Sequence, residues 1–179
     1  MKYSSHSIYK MVRAALMLAL ALILPFLTGQ MQQLGNALCL MHIPVILCGF
    51  ICGPMYGMIV GLTAPLLRFA LFGMPPLMPI GIAMCFELAA YGLVCGIMYD
   101  VLPKKRVYIY PALLVGMLSG RLIWGLARAV MYGMGKSEFG LKAFMAGAFI
   151  NAIPGIVLQI ILIPILVIAI GKITKDKNV

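Results

Sequence analysis

The chain has 179 residues, 64% hydrophobic and 10% charged, with 14 Lys and Arg against 4 Asp and Glu for a formal charge of +10. A soluble domain carries roughly 25% charged residues, and six apolar spans of about 20 residues each leave room only for short loops and tails, which excludes a soluble catalytic or nucleotide-binding domain. The basic balance points to topology instead of nucleic acid, because Lys and Arg collect at the cytoplasmic ends of membrane helices.

The polar segment Met1 to Lys10 precedes an apolar run without a small-residue cleavage site, so it reads as the approach to a first membrane helix and not as a removed signal. Span one is expected from Met11 to Thr28, followed by the polar segment Gly29 to Ala37. Span two begins at Ile43 and is short, ending at the Gly53-Pro54 turn pair. Span three runs Met55 to Phe72 and stops at Gly73-Met74-Pro75-Pro76, and span four runs Met78 to Val101 and stops at Pro103-Lys104-Lys105-Arg106. Span five runs Val107 to Tyr132, and span six Leu141 to Ile173.

Three basic clusters orient these spans: Lys2, Lys10 and Arg13; Lys104, Lys105 and Arg106; and Lys172, Lys175 and Lys177. The positive-inside rule places all three in the cytoplasm, which requires an even number of crossings. The expected fold is therefore an all-α integral membrane protein of the cell membrane, a compact bundle of six transmembrane helices with both termini cytoplasmic and residues 1–179 forming a single domain. Small residues four apart, Ala15 with Ala19, Gly49 with Gly53, Gly57 with Gly61, Gly92 with Gly96 and Gly116 with Gly120, allow the close backbone approach that drives helix packing in lipid. The five cysteines sit in apolar stretches and read as small core residues; Cys48 and Cys52 are one turn apart, but no His or acidic residue completes a metal site on that face.

Ionisable groups inside spans are costly, about 2.5 to 3.5 kcal/mol or more on insertion scales, and usually face a cavity or a partner. The spans hold Arg68, Glu87, Arg121 and Arg128. At about 1.5 Å per residue, Arg68 and Arg128 fall some 8 Å from the outer ends of their spans, Glu87 some 13 Å, and Arg121 near the middle. Asn151 lies in the outer half of span six with Gln159 deeper, and His42 caps the outer end of span two. Convergence of these groups on the outer half of the bundle is the pattern of a pocket open to the outside. A plainer arrangement pairs Glu87 with one arginine to lock two helices, with Arg68 and Arg128 snorkelling to the interface. One carboxylate cannot neutralise three guanidinium groups, however. Arg121 and Arg128 are seven apart on one face of span five with Trp124 a turn from each, which points to an anionic ligand with an apolar or ring portion.

Gly135-Lys136-Ser137 lacks the upstream glycine of a phosphate-binding loop, since Val130 occupies that position. No zinc-protease motif, paired membrane aspartates or serine-lysine arrangement supports an intramembrane enzyme.

The short second helix, the stretch Met41-His42-Ile43-Pro44-Val45 leading into Gly49-Phe50-Ile51-Cys52-Gly53-Pro54, the Gly57 to Gly61 helix, the Gly73-Met74-Pro75-Pro76 loop and the segment Asn151-Ala152-Ile153-Pro154-Gly155 resemble the substrate-binding S components of energy-coupling factor (ECF) transporters. The resemblance covers nearly the whole chain. It implies capture of a vitamin or related micronutrient from outside, and docking through an Ala-xxx-Ala face of the first helix, here Ala15 and Ala19, onto a membrane coupling subunit attached to two ATPases. It also implies that the chain carries no cofactor, ATP being used by the partner ATPases, and that the loaded subunit topples in the bilayer to deliver its ligand.

The candidate substrate-binding residues are thus Arg121, Arg128, Trp124, Arg68, Glu87, Asn151 and His42, with no metal and no catalytic residue. A pantothenate-like ligand fits the charge reading first; folate-, nicotinate- and pyridoxal-phosphate-like anions fit as well. The alternative is a small oligomeric secondary carrier or channel for an organic anion, followed by a scaffold subunit without ligand.

Overall fold

A computed structural model describes residues 5–28, 38–103, 105–134, 141–148 and 150–176. Among them every regular element is helical. Helix α1 (Ser5–Ile23) continues into a 3-10 turn, Leu24–Thr28, where Pro25 removes a backbone donor. Then come α2 (His42–Cys52), α3 (Pro54–Phe72), a π turn over Leu77–Gly81, α4 (Ile82–Val101), a 3-10 turn Arg106–Tyr108, α5 (Ile109–Met134), α6 (Leu141–Ala148), a 3-10 turn Ile150–Ala152 and α7 (Ile153–Asp176).

Local chemistry explains the breaks. Pro54 opens the first turn of α3, where its missing N–H would be unpaired anyway, and Gly53 before it takes a φ of 104°. Gly73 closes α3 in the left-handed conformation, φ 70°, its N–H donating to the Phe69 carbonyl. The expected sixth span is divided: α6 and α7 are separate helices around the turn at Ile150–Ala152, with Pro154 in the first turn of α7. A proline near a helix start was the available signal, and the continuous hydropathy across 144–171 concealed it.

Among the described residues, five segments are long and apolar enough to cross a membrane: Ser7–Leu27, Pro54–Phe72, Leu77–Val101, Arg106–Tyr132 and Phe144–Gly171. The eleven residues of α2 rise only about 16 Å, half the hydrocarbon thickness of about 30 Å. All but Ile51 of this helix is buried, because α1, α3, α4 and α7 pack around it. That enclosure explains a helix that is apolar on every side yet short.

Glycine sets the spacing of the central helices. A Cβ on Gly57 would lie 2.7 Å from the Gly92 carbonyl oxygen and 2.8 Å from the Gly49 Cα, so α2, α3 and α4 touch backbone to backbone at one point. Gly96 stands equally close to Pro54. These contacts account for four of the small-residue positions noted in the sequence.

The outer surface is apolar in stripes. Leu114, Leu118, Leu122, Leu126 and Val130 of α5, and Ile153, Val157, Ile161 and Ile165 of α7, are exposed at four-residue spacing, whereas His42, Arg68, Glu87, Arg121 and Gln159 are buried. Polar inside and apolar outside is the distribution expected when lipid is the solvent. Ala15 and Ala19 are exposed on α1, beside exposed Met11, Val12, Leu16 and Leu20.

Candidate functional site

Three helices deliver ionisable side chains to one buried point. Glu87 of α4, Arg121 of α5 and His42 at the start of α2 are 2%, 6% and 4% exposed. Arg121 Nη1 lies 2.8 Å from Glu87 Oε1, and His42 Nε2 lies 3.5 Å from the same oxygen. The Tyr91 hydroxyl, one turn along α4 and so on the same face as Glu87, donates to that oxygen at 3.3 Å. Its ring also meets the His42 imidazole edge to face, with centroids 5.3 Å apart.

The cluster extends to α7 through Cys39. Arg121 Nη2 donates to Cys39 Sγ at 3.5 Å, and Gln159 Nε2 donates to the Cys39 carbonyl at 3.4 Å. Cys39 adopts φ 49°, a left-handed conformation unusual for a residue with a Cβ, and this turns the chain into α2. Arg121 Nε and both ring nitrogens of His42 are buried without a hydrogen-bond partner among the described residues. Buried polar atoms of this kind are exceptional in folded proteins.

Two turns along α5, a second layer is aromatic. The half-buried Arg128 lies over the Trp124 ring at 5.2 Å and the Tyr132 ring at 4.9 Å, and its Nη2 donates to the Tyr132 hydroxyl at 3.1 Å. Trp124 and Phe144 stack obliquely, centroids 6.4 Å apart. Helix α6 reaches this layer because Gly125 and Gly147 leave room for the facing rings; a Cβ on Gly147 would sit 2.7 Å from the Trp124 ring. Arg121, Arg128 and Trp124 therefore share one face of α5, as their spacing predicts.

Arg68 does not join them. It is buried at the junction of α1 and α3, where Nη1 donates to the Leu22 carbonyl at 2.8 Å and the guanidinium lies 5.3 Å from the Phe26 ring and 5.8 Å from that of Phe72. Leu22 is in the last turn of α1, toward the negative end of the helix dipole. The charge is thus used as a helix cap instead of snorkelling or lining the cluster. Replacing Arg68 with Met should remove about 2 kcal/mol of stability, the value of a charged hydrogen bond, while ligand affinity is unchanged. Thermal unfolding in detergent alongside equilibrium binding checks this; a fall in affinity would return Arg68 to the site. Asn151 is likewise set apart, exposed in the turn between α6 and α7.

Among the described residues no group of three or more His, Cys, Asp or Glu is placed to hold a metal ion. Cys48 and Cys52 are buried thiols. Gly135-Lys136-Ser137 lies outside the described residues.

The family model for the substrate-specific component of ECF transporters matches residues 9–167. The chain belongs to this family. As an S component it is a multi-pass membrane protein of a transporter family, not of an enzyme family, and membership implies a small-molecule substrate, a membrane coupling subunit and ATPases. No curated protein and no solved structure matches the chain. In an S component a buried set of polar side chains with unmet hydrogen bonds is a candidate for the binding machinery. Tyr91 and Cys39 were not anticipated as members of it. Tyr91 was findable from its four-residue offset from Glu87, while nothing in the apolar run around Cys39 marks its thiol as a neighbour of Arg121.

Proposed function

We propose that this S component captures a small anionic, vitamin-like ligand from outside the cell and delivers it inward with an ATP-driven coupling module. The bundle crosses the membrane six times with both termini in the cytoplasm, so that the basic clusters at Lys10 and Arg13 and at Lys105 and Arg106 face inward. The Met134 end of α5 and the start of α2 then face out, with Arg128 nearer the exterior than Arg121. The observation that carries the reading is the Arg128 guanidinium laid across Trp124 and Tyr132, two turns above a buried polar cluster. Such a layer offers a fixed positive charge and ring faces together, the chemistry for a carboxylate or phosphate attached to an apolar or ring body.

Pantothenate, with its carboxylate, amide and hydroxyls, is the first candidate; folate-, nicotinate- and pyridoxal-phosphate-like compounds share the required charge. Calorimetry with pantothenate and with its neutral amide, on the wild type and on Arg128→Gln, tests the reading. The acid should bind more tightly than the amide, and Arg128→Gln should weaken it about tenfold to a hundredfold, the equivalent of 1.5 to 3 kcal/mol. Arg128→Lys should recover only part of the loss, because an ammonium lacks the planar fork. Equal binding of acid and amide, or no loss in the arginine variant, would remove the anion from the proposal. Uptake by cells expressing the chain without a coupling module would favour a secondary carrier.

A further inference from the structure

The Glu87 carboxylate in the cluster between α2, α4 and α5 already has a cationic partner. Arg121 and Glu87 form a pair at 2.8 Å; Tyr91 donates to Glu87, Cys39 Sγ accepts from Arg121, and Gln159 donates to the Cys39 carbonyl. What is unmet there is hydrogen bonding: Arg121 Nε has no acceptor among the described residues, and neither ring nitrogen of His42 makes a hydrogen bond, although Nε2 lies 3.5 Å from Glu87 Oε1.

We propose that this inner cluster recognises an uncharged donor–acceptor group of the ligand, an amide, lactam or hydroxyl, and that the ligand's negative charge is met separately by Arg128. The proposal rests on the reading of the chain as a substrate-binding subunit and deepens it by dividing the site. An amide or hydroxyl supplies an acceptor to Arg121 Nε and can donate to, or accept from, a ring nitrogen of His42. A carboxylate in the same place would supply acceptors alone and would stand beside Glu87, a second negative charge with which it repels. The Cα atoms of Arg121 and Arg128 are separated by about 10 Å along α5, so the ligand is extended, with its anionic and uncharged polar groups at different levels. Trp124 lies between the two arginines along α5, with the Arg128 guanidinium over its ring.

The test is equilibrium binding to the intact chain in nanodiscs, using radiolabelled pantothenate, folate, nicotinate and pyridoxal phosphate, with thiamine as a cationic control. The expected binder carries an anion and, apart from it, an uncharged group that both donates and accepts. Selective binding of nicotinate, whose only other polar atom is an acceptor nitrogen, overturns this inference and leaves the substrate-binding reading standing. Retention of thiamine alone overturns the anion as well, and binding of none of the five overturns both readings.

For the compound that binds, Glu87→Gln separates the alternatives by sign. An anion at Arg121 binds more tightly once the neighbouring carboxylate is gone, whereas an uncharged group gains nothing. Because that variant leaves Arg121 unpaired and its folding is at risk, the double variant Glu87→Gln with Arg121→Gln asks the same question with a neutral cluster. A loss of about tenfold or less is expected, matching one or two neutral hydrogen bonds. A loss of about a hundredfold or more in the double variant, or tighter binding in Glu87→Gln, overturns the proposal.

Discussion

Arg121→Gln is expected to lower the unfolding free energy of the detergent-solubilised protein by about 3 to 5 kcal/mol, the largest single effect foreseen for any side chain in the bundle. Glu87 is 2% exposed and its Oε1 takes Arg121 at 2.8 Å, with the Tyr91 hydroxyl at 3.3 Å and His42 at 3.5 Å as weaker support. Without the guanidinium, a carboxylate that is 2% exposed loses its charged partner. Two longer contacts do not replace a charged pair. Glu87→Gln should cost a similar amount by stranding Arg121, whose other contact is the weak acceptor Cys39 Sγ. Changing both to Gln should cost much less than the sum of the two, since the desolvation penalty of each ion disappears along with their attraction. A double-mutant cycle by unfolding in mixed micelles measures this. Additive single losses would mean that the pair is not a coupled unit, and single losses under about 1 kcal/mol would mean that the site is wet.

The pairing also shows where sequence reasoning reaches its limit. Hydropathy located the long helices, and the seven-residue offset of Arg121 and Arg128 with Trp124 between them correctly put all three on one face of α5, because those features are local and follow from helical periodicity. Which arginine meets Glu87 depends on how α4 and α5 are rotated against each other. That rotation is set by side chains packed onto glycines, such as the Tyr91 ring against Gly120 and the Cys95 thiol against Gly116. No spacing rule within either helix encodes it. Arg68 illustrates the converse: its depth in α3 resembled that of Arg128, yet the end of α1 lies beside it and offers a carbonyl and the Phe26 ring. The excess of arginine over carboxylate inside the spans is thus divided among three uses: an ion pair at Arg121, a helix cap at Arg68, and an aromatic-flanked charge at Arg128. His42, read as a group capping a helix end, points its ring at Glu87 and Tyr91 because α2 is sheathed by the helices that carry them.

Replacing Ala15 and Ala19 together with Phe is expected to reduce co-purification with the coupling subunit and ATP-dependent uptake by about tenfold or more, at 1.4 kcal/mol per decade, while ligand affinity and thermal stability of the isolated chain stay at wild-type values. Both alanines are exposed on α1, whose other face buries Ala14, Met17 and Ala21 against the bundle. A large side chain at either position therefore projects from the exposed face of α1 among the described residues. Helices associate in lipid where small residues let backbones approach, because burial of apolar surface gives no advantage over contact with acyl chains. The exposed neighbours Met11, Val12, Leu16 and Leu20 leave the alanine pair as a shallow step along α1, suited to a helix crossing at close range. Phenylalanine would fill that step and hold the partner away, abolishing contacts along the crossing without touching Glu87, Arg121 or Arg128. Pull-down from membranes containing the coupling module, uptake in cells, and calorimetry on the isolated chain separate the outcomes. Assembly at wild-type level would move the docking face elsewhere on the bundle, and loss of ligand binding together with assembly would show that α1 packs through these alanines inside the protein.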